Sequence, residues 1–221
     1  MSSFSANHVW FLLRAAEWTL ALSAIGFAGG SLLAALLVLA RMSRVPPLRW
    51  LASAFTQVVQ GTPLLIQLFL CYFGLSLLGA NLPPLVAGGI ALVANSSTFL
   101  AEIWAACIAA IPKAQWESAA SLGLSRAQLL GSVIVPQAVR IAIPPTTGFL
   151  VQLIKNTSLT ALIGFVELAR GGQLVTNATF EPAPAYLTVA CIYFAICFPL
   201  SQASRMLERR LHVGGRTLRR A

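Results

Sequence analysis

Two histidines, six glutamates and no aspartate supply nearly all the acid–base chemistry open to these 221 residues. His8 and His212 fall in opposite terminal regions. The Ser–His or paired-Asp constellation of an intramembrane enzyme therefore lacks its parts. A phosphate-cradling loop needs Gly-Lys-Ser/Thr, but the two lysines, Lys113 and Lys155, follow Pro112 and Ile154. Cys71, Cys107, Cys191 and Cys197 lie in apolar runs without metal-ligand spacing and read as free thiols. What remains suits recognition rather than bond-making. Asn95-Ser96-Ser97-Thr98 and Lys155-Asn156-Thr157-Ser158 each interrupt an apolar run, and residues 111–145 form a semi-polar interval with Glu117 inside it.

The elements that must hold these groups are membrane helices. The chain is 57% hydrophobic and 10% charged, with a mean hydropathy of +0.80, whereas a soluble domain carries about 25% charge. A span needs about 20 residues. Residues 18–40 hold no charge and are too long for a signal-peptide core. Their Gly26, Gly29 and Gly30 fit either close helix contact or a tolerant lipid-facing helix. No charge occurs between Trp50 and Ala101, and Asn81-Leu82-Pro83-Pro84 divides that run in two. The expectation is an all-α integral membrane domain over residues 1–221, with five spans at about 18–40, 51–78, 84–110, 142–163 and 185–204. Gly61-Thr62-Pro63 should kink or unwind the second, because Pro63 lacks a backbone donor. A polar loop is expected from Glu167 to Pro184. Trp10, Phe11, Leu12 and Leu13 suit a membrane surface.

The net charge of +9 follows from topology. Arg41, Arg44 and Arg49 lie in the first loop, and Lys113, Arg126 and Arg140 in the connector. Arg205, Arg209, Arg210, Arg216, Arg219 and Arg220 lie in the tail. With the N-terminus outside and the C-terminus inside, all twelve face the cytoplasm, as the positive-inside rule requires. Anionic lipid accounts for the basic tail better than nucleic acid does.

The connector, residues 111–136, has helix signals of its own. Pro112 suits a first turn, Gly123 a left-handed stop, and Ser125 with Gln128 a capping box; Pro136 marks the next break. Ala119 and Gly123, four apart, should share a face that a partner surface can approach closely. A short rigid helix tied to two spans can transmit a push; the competing reading is an ordinary amphipathic loop helix.

Glu117-Ser118-Ala119, Gly123 and Val133-Ile134-Val135-Pro136 resemble the EAA–G–I-x-LP loop of ABC importer permeases. Gly61-Thr62-Pro63-Leu64-Leu65-Ile66-Gln67, Ala101-Glu102-Ile103, Pro136-Gln137-Ala138, Lys155-Asn156-Thr157-Ser158-Leu159 and Leu207-Glu208-Arg209-Arg210 follow in order. Over nearly its whole length the chain resembles the polar amino acid permeases of the histidine/glutamine type. The resemblance implies a non-catalytic, multi-pass subunit of a bacterial inner-membrane importer, paired as a homo- or heterodimer. Two cytosolic ATPase subunits bind the ATP, and an extracytoplasmic binding protein delivers the amino acid. Glu117, Ala119 and Gly123 match the coupling helix that docks on an ATPase. Gln60 and Ala105 stand where the family usually has Arg, and Ala114 where it has Gly. Without an Arg at 105, Glu102 is left either at the interface or buried and favouring its neutral form.

Some members of the family bind solute between the third and fourth helices, so Asn95, Ser96, Thr98, Asn156 and Ser158 are the expected substrate-pathway residues. The alternative is interhelical hydrogen bonding. Lys155 suits snorkelling or carbonyl capping better than solute binding. An independent channel or ion-coupled carrier is the competing function, but it gives the connector no task.

Overall fold

The computed structural model describes residues 3–212, so Arg216, Arg219 and Arg220 of the basic tail lie outside the described residues. Eight helical segments follow one another: α1 (Ala6–Met42), α2 (Pro46–Gln60), α3 (Leu64–Leu77), α4 (Pro84–Ala109), α5 (Lys113–Ser121), α6 (Arg126–Ile163), α7 (Leu168–Thr179) and α8 (Pro182–His212). There is no strand among the described residues. α1, α4, α6 and α8 are long and apolar enough to cross a membrane, and α2 with α3 makes a fifth crossing if the bent pair is one span.

α4 is the most enclosed of these, with 61% of its apolar stretch inside the protein against 17% for α8. It lies against α1 at a close crossing. A Cβ on Gly30 would come within 2.6 Å of the Ser96 Cβ, and one on Gly26 within 3.2 Å of the Leu92 Cβ. The two glycines are four apart, so they share a face of α1 and let the backbones approach. This decides the alternative left open for the α1 glycines.

The second span is more sharply broken than a kink. α2 and α3 meet at 102°. Pro63 cannot donate, and nearby carbonyls lose their helical partners. Side chains replace them: Thr62 Oγ1 donates to the Val58 carbonyl at 3.0 Å, and Gln67 Nε2 to the Val59 and Thr62 carbonyls at 2.6 and 3.0 Å. α2 also begins at Pro46 rather than near residue 51, because Pro46 and Pro47 occupy its first turn, where no amide is needed.

Pro136 does not end the connector's second helix. The turns at Leu129–Ile134 widen so that the Val135 N–H reaches the Leu130 carbonyl, and α6 continues through Pro136 to Asn156 before tightening into a 3₁₀ turn at Thr157–Ile163. One helical rod thus joins the connector to the fourth span.

The expected loop from Glu167 to Pro184 holds a helix instead. Glu167 caps α7, its carboxylate accepting from the Ala169 and Arg170 amides at 3.0 and 2.9 Å. The side chain is fully buried and also accepts from Thr19 Oγ1 of α1 and the Tyr193 hydroxyl of α8, at 3.3 and 3.0 Å. Gly172 lies so near α8 that a Cβ would meet Val189 Cγ2 at 2.8 Å. Two glycines, two threonines and an asparagine in twelve make α7 a weak helix by composition; its cap and its packing between α1 and α8 form it.

Glu167→Ala is expected to cost about 3 kcal/mol, because it leaves the Tyr193 hydroxyl and two helix amides without their charged acceptor. Glu167→Gln should cost less. Thermal unfolding of the purified protein measures both, and equal melting temperatures for wild type and Glu167→Ala would refute the three-helix junction.

Candidate coupling surface and polar span clusters

The connector folds on itself before it can meet anything else. The turn after α5 uses Gly123 at φ +74°, a left-handed conformation that a side chain would disfavour. Ser125 and Gln128 then form the expected capping box: Ser125 Oγ accepts from the Gln128 amide at 3.4 Å, and Gln128 Oε1 from the Ser125 amide at 3.0 Å. Ile111, Ala119, Leu129, Ile134 and Ala138 make a small core between α5 and the start of α6.

That core corrects the expected shared contact face. Ala119 is 4% exposed and points inward, roughly 200° round the helix from Glu117 at about 100° per residue. Gly123 lies past the helix end in its left-handed turn and so leaves the α5 face. The outward side of α5 carries Glu117, Ser118 and Ser121, followed by Leu122 at 79% exposure. Leu122 was not singled out from the sequence; an apolar residue just before the glycine stop was the available signal.

One arginine fastens this unit to α1, and a second ties α1 to α4 nearby. Arg126, the first residue of α6, donates from Nη2 to the Met42 carbonyl at 3.0 Å, taking up a carbonyl at the end of α1. Arg41 Nη1 lies 2.8 Å from Glu102 Oε1. Glu102 therefore has an ion-pair partner although Ala105 replaces the family's Arg; the charge comes from another helix. It sits at an exposed rim rather than in a buried pocket. Farther along, Trp104 Nε1 donates to Thr146 Oγ1 at 3.1 Å, and Ser204 Oγ to the Pro144 carbonyl at 2.9 Å, tying α4 and α8 to α6.

The polar clusters are placed unequally. Asn95, Ser96 and Thr98 are buried in α4, with Ser96 against Gly30 of α1 and Thr98 Oγ1 donating to the Asn95 carbonyl at 2.9 Å. Asn156 and Ser158 are half-buried on α6; Asn156 Oδ1 accepts from Gln152 Nε2 at 3.0 Å, and Ser158 Oγ donates to the Lys155 carbonyl at 2.7 Å. Lys155 is exposed. No hydrogen bond joins the α4 trio to Asn156 or Ser158 among the described residues.

A bundle of long apolar helices packed on α4 and including one broken span, with a self-contained helical connector at one end, is the architecture of a multi-pass membrane permease. Residues 20–213 match the family described as binding-protein-dependent transport system inner membrane component, and the chain belongs to that family. It is 36% identical over 212 residues to the L-cystine transport system permease protein of Bacillus subtilis (strain 168), covering 91% of each chain. It is 33% identical over 216 residues to the glutamine transport system permease protein of Escherichia coli (strain K12), covering 95% of this chain and 99% of that one. A solved amino acid ABC transporter chain superposes with a TM-score of 0.88 at 33% identity, covering 95% and 100% of the two chains. A methionine ABC transporter chain shares the fold, with a TM-score of 0.77 at 19% identity over 94% and 99%. The chain is thus an inner-membrane component of a transport system.

Because Ala119 fills a closed core, Ala119→Leu should overpack it at a cost of about 1–3 kcal/mol, whereas Ser118→Leu on the outer side should cost less than about 0.5 kcal/mol. Melting temperatures of the two variants check the inward and outward assignment; equal losses would contradict it.

Proposed function

We propose that the chain is the permease subunit of an ATP-driven importer of polar amino acids. It pairs with a second permease subunit, two cytosolic ATPase subunits and an extracytoplasmic binding protein. The relatives named for cystine and glutamine transport support the substrate class. The N-terminus lies outside and the C-terminus inside, so the connector and its basic residues face the cytoplasm. ATP is bound and hydrolysed by the partner ATPases, not by this chain.

One observation carries the mechanism: α5 is a nine-residue helix whose inner face is filled by its own core and whose outer residues Glu117 and Ser118, with Leu122 after them, are exposed. Glu117 and the Leu122–Gly123 turn dock on the ATPase, and Ala119 seats the helix from behind. Movement of α5 then passes into the continuous rod of α6. Through Arg126 and the Met42 carbonyl it also reaches the α1–α2 corner, and from there the broken span. The solute passes near Asn95, Ser96, Thr98, Asn156 and Ser158, whose side chains offer neutral hydrogen-bonding groups. An assembled pair of subunits and a conformational change must bring the buried α4 groups and the half-buried α6 groups onto one pathway.

Glu117→Arg should abolish co-purification of the ATPase while the permease still inserts and folds; retained binding would count against docking through this face. Asn95→Ala with Asn156→Ala should abolish uptake of labelled amino acid while the complex still assembles, and unaltered uptake would sink the pathway assignment.

A further inference from the structure

Between α1 and α2, at the connector end, runs a side-opening cavity of about 660 Å³. Leu33, Leu36 and Leu39 of α1 and Leu48, Leu51 and Phe55 of α2 make its walls. Its one polar side chain, Ser43, already has its Oγ accepting from the Val45 amide at 3.1 Å. Leu36, Leu39 and Leu51 are 62%, 64% and 61% exposed, so the groove opens outward rather than into the bundle. At its end the chain turns through Ser43–Val45, and there the character changes. Arg44 and Arg49 are exposed and adjoin the lining residues Ser43 and Leu48 in sequence, and their guanidinium groups have no ion-pair or hydrogen-bond partner among the described residues. Trp50 stands beside them at 73% exposure.

We propose that this groove is a binding site for one anionic phospholipid, with an acyl chain along the α1–α2 cleft and the phosphate held by Arg44 and Arg49. An apolar slot ending in two unpaired cations matches a molecule that is apolar along its length and anionic at one end. Tryptophan beside arginine marks the depth at which hydrocarbon gives way to headgroups. Arginine presents several donors to phosphate oxygens, and each such cation near a membrane surface strengthens binding to anionic lipid. A second copy of the chain is the less suitable occupant. Two-fold pairing about the membrane normal through this groove would set both basic ends at one depth, facing each other. The site does not depend on which solute is carried.

The test is native mass spectrometry of the assembled complex, purified in detergent with equal phosphatidylglycerol and phosphatidylcholine. Wild type should retain phosphatidylglycerol preferentially. Arg44→Gln with Arg49→Gln should lower that preference on the order of tenfold, and Leu36→Trp, which fills an exposed wall, should remove both lipids. Equal retention of the two lipids by wild type overturns the proposal, and this comparison stands even if a variant fails to assemble. Undiminished preference in the double variant overturns it too. So does cross-linking of Leu36→Cys between two copies in lipid-replete membranes, which would place a second subunit in the groove.

Discussion

The close crossing of α1 and α4 at Gly30 and Ser96 supports the rest of the bundle. In a bilayer, lipid tails are as apolar as leucine, so helices gain little from merely exchanging lipid contacts for one another. They must instead pack closely enough to win dispersion energy that lipid cannot match. Gly26 and Gly30 supply that closeness, and α4 becomes the enclosed helix on which α6 and the α2–α3 pair are arranged. The same economy recurs where Gly172 of α7 meets Val189 of α8.

Once the helices are close, the backbone sets the next constraint. No water is available in the hydrocarbon to satisfy an orphaned carbonyl. Three irregularities carry local repairs of their own. Thr62 and Gln67 cover the broken second span, a widened turn accommodates Pro136, and the Glu167 carboxylate takes the first amides of α7. These repairs permit a sharp bend and a short extra helix where the chain would otherwise need straight spans.

The connector repeats the pattern on a smaller scale. Its inner face is closed by Ala119, Leu129 and Ile134, and its outer face is left to charge and small polar groups with Leu122 beside the turn. Its inner side is closed by its own core, and the Arg126 contact with the Met42 carbonyl ties it to the end of α1, which Arg41 in turn ties to Glu102 of α4.

Hydropathy, proline and glycine positions and capping residues sufficed to place the apolar runs, the turn at Asn81–Pro84, the break at Gly61-Thr62-Pro63 and the Gly123–Ser125 corner. Each depends on neighbours within a few residues, and local backbone chemistry is written locally. The membrane class was legible for the same reason, since burial in lipid acts on composition over twenty residues at a time. Which side of α5 Ala119 faces was not legible, because that depends on Leu129 and Ile134 folding back over it. Nor was the partner of Glu102, which comes from Arg41, 61 positions away. α7 was hidden because its weak intrinsic propensity is overruled by Glu167 reaching Thr19 and Tyr193 on two other helices. Local sequence thus determined where the chain could be helical and where it must turn. Only tertiary packing decided which faces met, because contacts between distant segments leave no periodic mark on either one.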